Sequence, residues 1–253
     1  MSSLYRSILN VQGSSFASTN SFEFDGATDY VNITNSLTTS QGSYSAWIKP
    51  DLTNNGYFIV SSNNVYRTFV GISSRTDGTV LAKLVISHQT RWTLQTDNSV
   101  LNSSNWTHVA LVHNGTEPKL YINGVAVAQS FGAFTPGWDR KQDWWAEMSP
   151  TPTVTRLGII LISGYSINFW KGVIDEVSIF TTALSASDVS DIYGTGVPND
   201  LTSLSPISWL RMGEAANYAG GQWTLTDQGS GGNDGTSTTL PAPPAQPSTD
   251  VPT

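Results

Sequence analysis

Cysteine is absent from these 253 residues, which excludes disulfides, thiolate nucleophiles and thiolate metal sites together. Charge is scarce as well: 12% of residues are Asp, Glu, Lys or Arg, and the net charge is −7. The twelve Lys and Arg are scattered, so the basic surface that phosphate backbones require is missing and no nucleic-acid partner is expected. No apolar run approaches the roughly 18 residues of a membrane-spanning helix, and no membrane partner is expected either. The stretch Met1 to Asn10 lacks the apolar centre of a signal peptide. Export is therefore not expected. The four Asn-x-Ser/Thr sequons beginning at Asn32, Asn102, Asn105 and Asn114 are read as chance in a chain rich in these residues.

Ser, Thr, Asn and Gly fill much of the chain, with 11% aromatics and nine Trp. This composition suits sheets with neutral polar faces. Period-2 alternation marks strands at Phe22–Phe24, Tyr30–Ile33 and Ser43–Lys49 (stopped by Pro50), and Tyr57–Val60, after a Gly turn, and Trp106–His113 read as further strands. Asp77-Gly78 joins Arg67–Ile72 to Thr79–Ile86, and Asn123-Gly124 supplies the two positive-φ residues of a type I′ turn inside Lys119–Val127. Further strands are expected over 155–162, 170–180 and 206–212. Between them Ser185 N-caps one short helix, with Asp188 at the capping-box position and Gly194 as its stop. The expected architecture is an all-β antiparallel β-sandwich, a jelly roll, with one short helix. Residues 1–20 read as a polar N-terminal arm, 21–227 as the sandwich and 228–253 as a Gly/Ser/Pro-rich C-terminal tail. Ends this poor in core-forming residues are expected to be held by partners.

Several stretches together resemble the laminin-G-like domains of the concanavalin A-like lectin/glucanase superfamily. Phe22-Glu-Phe-Asp-Gly-Ala-Thr-Asp-Tyr-Val31 is similar to the opening strand pair. Trp106-Thr-His-Val-Ala-Leu-Val-His113 with Lys119-Leu-Tyr-Ile-Asn-Gly124 is similar to the central pattern, and Gly172–Phe180 with Ala183-Leu-Ser-Ala186 to the closing strand and helix. The resemblance covers residues 20–215 and implies the fold, not a ligand. Pro206–Met212 with Thr226–Gly235 further resembles the C-terminal pattern of laminin-G-like proteins from marine phage. That resemblance implies a virion structural protein of the capsid, a fibre or the tail, assembled in the host cytoplasm. Other virion proteins and further copies of the chain would be its partners, and a surface glycan a possible ligand class.

The glucanase relatives carry acid and nucleophile on one strand as Glu-x-Asp-x-x-Glu, and this chain has no such motif. Asp175 and Glu176 are adjacent on a strand and so are expected on opposite faces. His88, His108 and His113 sit in no catalytic motif, so no enzyme is expected. The resemblance implies that calcium, which takes carboxylate and carbonyl oxygens, would use Asp25, Asp29 and Asp175. The competing reading makes Asp25 and Asp29 turn caps and Asp175 a backbone clamp. Residues 131–153 form a long loop offering Trp138, Trp144 and Trp145. Exposed indoles there fit a glycan or a protein contact, and buried ones would pack on the domain's own sheet. Trp47, Trp106 and Trp209 lie in alternating strands and read as core.

Overall fold

A computed structural model describes residues 16–63, 67–132, 134–162 and 165–253; the first fifteen residues of the expected arm lie outside them. In chain order the strands are β1 (Phe22–Asp25), β2 (Val31–Thr34), β3 (Gly42–Pro50), β4 (Gly56–Ser62), β5 (Phe69–Ser74), β6 (Val80–Ile86) and β7 (Gln89–Thr96). Next come β8 (Thr107–His113), β9 (Pro118–Ile122), β10 (Val125–Ala126), β11 (Gln129–Phe131), β12 (Val154–Leu157), β13 (Ile160–Ile162) and β14 (Tyr165–Ile167). The chain then forms β15 (Lys171–Phe180), helix α1 (Ala186–Tyr193), β16 (Ser208–Leu210), β17 (Ala216–Ala219), β18 (Gln222–Leu225) and β19 (Gly235–Ser237). One sheet runs β1-β15-β3-β8-β9-β10, with β16 also on β15, and the other runs β11-β7-β6-β5-β4-β12-β2-β19-β18-β17. Every pairing in these two sheets is antiparallel.

The local signals behave as their chemistry requires. Asn123 and Gly124 both have positive φ, and the β9–β10 hairpin turns there. Asp77 Oδ1 accepts from the N–H and hydroxyl of Thr79 beside the positive-φ Gly78. Ser185 Oγ accepts from Asp188 N while Asp188 Oδ2 accepts from Ser185 N, and Gly194 ends α1 at positive φ.

Apolar faces of the two sheets meet in one core that includes Phe22, Phe24, Tyr44, Ile48, Phe58, Ile72, Leu111 and Ile174, all buried. The core is not wholly apolar. A chain of hydrogen bonds crosses it from Trp145 Nε1 to Tyr44 Oη, from Tyr44 to Ser61, between Ser61 and Thr155, and from Asn35 to Thr155. Each link supplies a partner that a buried polar group otherwise lacks at a cost of about 1–3 kcal/mol. Helix α1 lies on the outer face of the β1–β10 sheet, where Val189 and Ile192 pack with Ala110, Val112, Tyr121 and Trp209.

The ends depart from expectation. The tail expected from residue 228 contains β19, which pairs with β2 on one side and β18 on the other. Its sequence, Gly-Thr-Ser, carries little strand propensity. Two flanking strands supply the ladder instead, so the sandwich runs past residue 227. Farther on, the tail covers the free edge of β1. Ser21 and Ser248 exchange backbone hydrogen bonds at 2.9 Å. The side-chain amide of Gln246 accepts from Glu23 N and donates to Glu23 O, standing in for a strand residue. An open edge is an aggregation hazard, and here the domain's own tail closes it.

Candidate functional site

The Trp loop divides into two parts. Trp144 and Trp145 are fully buried, which corrects their expected role as contact residues: neither presents a face to a ligand. Trp144 stacks on His113 at 4.7 Å and on Trp92 at 6.0 Å between ring centroids. Gly42 leaves the space Trp145 fills, because a Cβ there would collide with its ring. Trp138 and Phe134 do stand at the surface, at 36% and 43% exposure. The Trp138 ring is attended by two cations, with the Arg91 guanidinium 4.2 Å and the Arg140 guanidinium 5.6 Å from its centroid. Lys141 lies 4.2 Å over Phe131. Guanidinium stacking of this kind is favourable but uses the π-face that a sugar ring would need.

The expected calcium trio does not assemble. Asp25 caps its own turn, accepting from the N–H groups of Ala27, Thr28 and Asp29 and from the Thr28 hydroxyl. Burial pushes its carboxyl up, but these bonds outweigh it and hold the pKa at about 2. Asp29 Oδ2 accepts from Asp25 N. Its own burial, with Asp25 and Glu23 nearby, raises it to about 6. Asp25 pairs with Lys171 across β1–β15. Asp175 lies four residues farther along β15, about 14 Å away at roughly 3.4 Å per residue. The residues that the resemblance implied therefore do not fit one ion.

Asp175 instead meets Glu176, and this too corrects the alternation argument. The β15–β3 register shifts between Asp175 and Ser178, and Glu176 adopts φ +49°. A bulge re-aims side chains that a regular strand would separate. Carboxylate oxygens of Asp175, Glu176 and Glu214 converge within 4.8 Å of one another. Asp175 accepts from the Ser18 hydroxyl and from Glu176 N. Glu176 accepts from Trp209 Nε1 at 2.7 Å and Arg211 Nε at 3.1 Å. Arg211 pairs with Glu176 and Glu214. Burial and then Glu176 push Asp175 well above the usual carboxylate range. Burial raises Glu176 to about 7 against the opposing pull of Arg211 and Trp209. This cluster clamps the last part of the arm. Glu214 accepts from the N–H groups of Thr19 and Asn20, Arg211 donates to Ala17 O, and Phe16 packs against both Arg211 and Trp209. Arg211 and Glu214 gave no motif signal; only the two unexplained acids at 175 and 176 hinted that a cation must lie opposite.

Ser45 Oγ and His108 Nε2 lie 2.8 Å apart, a pair invisible in the sequence. Both are buried, His108 Nδ1 has no partner among the described residues, and burial lowers the imidazole pKa to about 3. Such a group is too weak a base, and too inaccessible, for nucleophile activation.

The three Trp expected in the core also separate. Trp209 and Trp47 are buried on the outer side of the β1–β10 sheet, whereas Trp106 is half-buried. Trp47 and Trp106 both line a cleft of about 410 Å³, which is closed on one side by Asp250, Val251 and Thr253.

A family model described as the concanavalin A-like lectin/glucanases superfamily matches residues 25–190. No curated protein sequence matches the chain. Among solved structures, a Bacteroides ovatus protein provisionally assigned as carbohydrate-binding superposes with a TM-score of 0.63 at 16% identity, over 90% of this chain and 61% of that one. The chain thus spans less than two thirds of that protein's length. A heptameric SAP-like pentraxin of Limulus polyphemus gives 0.52 at 17% identity, over 70% and 82% of the two chains. The CBM40 module of a Ruminococcus gnavus IT-sialidase, bound to α2,3-sialyllactose, gives 0.50 at 14%, over 68% and 98%. Identities this low speak to the fold. The family match covers most of the chain, and the sheets, hairpins and capped helix follow the same plan: this chain belongs to the concanavalin A-like lectin/glucanase superfamily.

Proposed function

We propose that this chain is a non-enzymatic virion structural protein, a capsid decoration, fibre or tail component, in which the lectin-like sandwich makes assembly contacts. The observation that carries the reading is the Arg91–Trp138–Arg140 stack, with exposed Phe134 on the same loop. Aromatic and Arg side chains are enriched at the centres of protein interfaces. The phage-like pattern at 206–212 and 226–235 supports the virion context; its first part contains β16 and its second leads into β19. Further copies of the chain and other capsid or tail proteins are the partners. The buried Ser45–His108 pair and the hydrogen-bonded carboxylates supply no accessible acid–base pair, which supports a non-enzymatic role.

Imaging of particles tests the reading. Density for this domain at a regular position, lost in a Trp138→Ala, Arg140→Glu variant, is expected; purified particles without the chain would overturn it. Calcium has no part in this account. Melting is expected to be unchanged by calcium or a chelator, and a rise of several degrees with calcium would contradict that. A second reading, a free carbohydrate-binding module, is favoured by the fold shared with the Bacteroides and Ruminococcus proteins.

A further inference from the structure

We propose that copies of this chain dock head-to-tail, the basic outer face of the β11–β17 sheet of one copy against the acidic α1 face of the next. The inference rests on the assembly reading above and names the two surfaces that meet.

Charge is unevenly divided along a chain that carries −7 in all. Residues 52–96, which hold β4 to β7, carry Arg67, Arg75, Lys83 and Arg91 against a single acid, Asp77. Residues 172–210, which hold most of β15, α1 and β16, carry five acids and no Lys or Arg. The fold turns this division into two faces. Val70, Ile72, Ala82, Leu84 and Leu94 point into the core. Alternation therefore turns Lys83 outward, level with Gly71 and Thr93. Arg67, two residues before β5, lies close enough for its charge to act on Lys83. Beside the β6–β7 bulge, the Arg91 guanidinium stacks on Trp138 at 4.2 Å, with Arg140 on the same ring at 5.6 Å. The Trp138 loop is tied to this edge, since Thr135 N donates to Thr90 O and Arg140 N to Arg91 O. Two acids oppose these cations: Asp143, buried 3.6 Å from Arg91, and Asp139, next to Arg140 in the chain. Arg67, Lys83 and Arg140 form no salt bridge among the described residues.

On the other side of the sandwich, α1 covers the outer face of the β1–β10 sheet. Asp191 is exposed there, Asp188 caps the helix and Asp200 caps the turn that follows. Asp175 and Glu176 are buried near Arg211 and add nothing to this surface. Nearby cations are matched: Lys49 pairs with Asp250, and Lys119 shares a hollow with Glu117. Apolar exposure follows the same division. Among the described residues four large hydrophobic side chains are exposed: Phe134, Trp138, Val125 and Val197. The first two lie on the loop that borders the basic face. Val125 is in β10, which α1 touches, and Val197 follows α1 by four residues. Apolar groups within a charged surround mark protein contacts. Like faces repel, which disfavours a symmetric pair, and the two outer faces of a sandwich point apart. The contact is therefore heterologous and repeats from copy to copy.

Sedimentation of the full chain tests this. The average mass is expected to rise with concentration up to about 100 µM in about 50 mM NaCl, and to fall to that of the monomer in about 500 mM. Arg67→Glu with Arg140→Glu, and separately Ser187→Lys with Asp191→Lys, change exposed residues only, so both chains should melt as wild type does. Each alone should associate about tenfold more weakly. An equimolar mixture of the two should regain wild-type association, because each reversed face then meets its complement. Recovery on mixing also rules out misfolding as the cause of the loss. A wild-type chain monomeric throughout, variants that associate like wild type, or a mixture that stays monomeric would overturn the proposal. So would tight binding of a DNA duplex of about 20 base pairs in place of self-association, which would assign the basic face to phosphates. Particles carrying a chain that stays monomeric in solution would refute this contact and leave the virion reading intact. An associating chain absent from particles would do the reverse.

Discussion

Two places bring indoles to the surface of this domain, and they are built differently. On the loop, the Trp138 ring is covered by guanidinium groups and stands out from the body. In the cleft, Trp106 is pinned by Asp250, and Trp47 is buried against Tyr193. Exposure alone would rank Trp138 first. The neighbours keep that order for a protein, because an Arg-flanked aromatic suits a flat contact, whereas the cleft indoles are engaged by the chain's own residues.

The largest expected effect separates the two halves of the loop itself. Trp144→Ala should cost about 3–5 kcal/mol in chemical unfolding, as buried Trp truncations do, while Trp138→Ala should cost under about 1 kcal/mol. Equal losses would mean that the loop packs as one unit. Next, Trp138→Ala should weaken association between copies about tenfold in sedimentation. An unchanged constant would leave the contact to charge alone. A finer effect comes from Asp250→Ala. Removal of the carboxylate frees the Lys49 cation on the α1 side of the sandwich, so the basic face of a neighbour should bind there slightly less well. Stability should change by less than about 1 kcal/mol, because the pair is partly exposed. If Asp250→Ala left association intact, the Lys49–Asp250 pair would lie outside the contact.

The smallest effect concerns the acid cluster that shares the cleft's sheet face. Glu176 has a folded pKa of about 7 against an ordinary 4.5. A carboxyl shifted upward stabilises the fold fully below pH 4.5 and loses that contribution as pH rises through 7. Glu176→Gln removes this fall, so its melting temperature relative to wild type should climb between those limits. His108 acts oppositely: its pKa falls from 6.5 to about 3, so stability declines as pH drops across that interval. A pH-independent difference between Glu176→Gln and wild type would show that Glu176 titrates in the folded chain as it does in the unfolded one.

The sandwich was legible because its signals are local. Alternation at Ser43–Lys49, the Asn123-Gly124 turn and the Ser185–Asp188 cap each act within a few residues, and each formed as written. What alternation could not show is a bulge: one extra residue at Glu176 put two acids, expected on opposite faces, into one cluster. β19 was unreadable for a related reason, since Gly-Thr-Ser has no pattern and its place is set by the strands on either side. The ends were expected to need partners, yet the described part of each is bonded to its own domain, through Glu214 and Arg211 at one end and Ser21 and Lys49 at the other. The basic face was hidden most deeply, because Arg67, Lys83, Arg91 and Arg140 come together only when β5, β6, β7 and the Trp138 loop are all in place.

The most direct measurement follows the indole N–H resonances of the ¹⁵N-labelled full chain as its concentration is raised at low salt. The account predicts that the Trp138 resonance shifts as the copies begin to associate and returns at high salt, and that Trp144 stays still. A Trp138 resonance that does not move while the chain associates would place the contact elsewhere and contradict it.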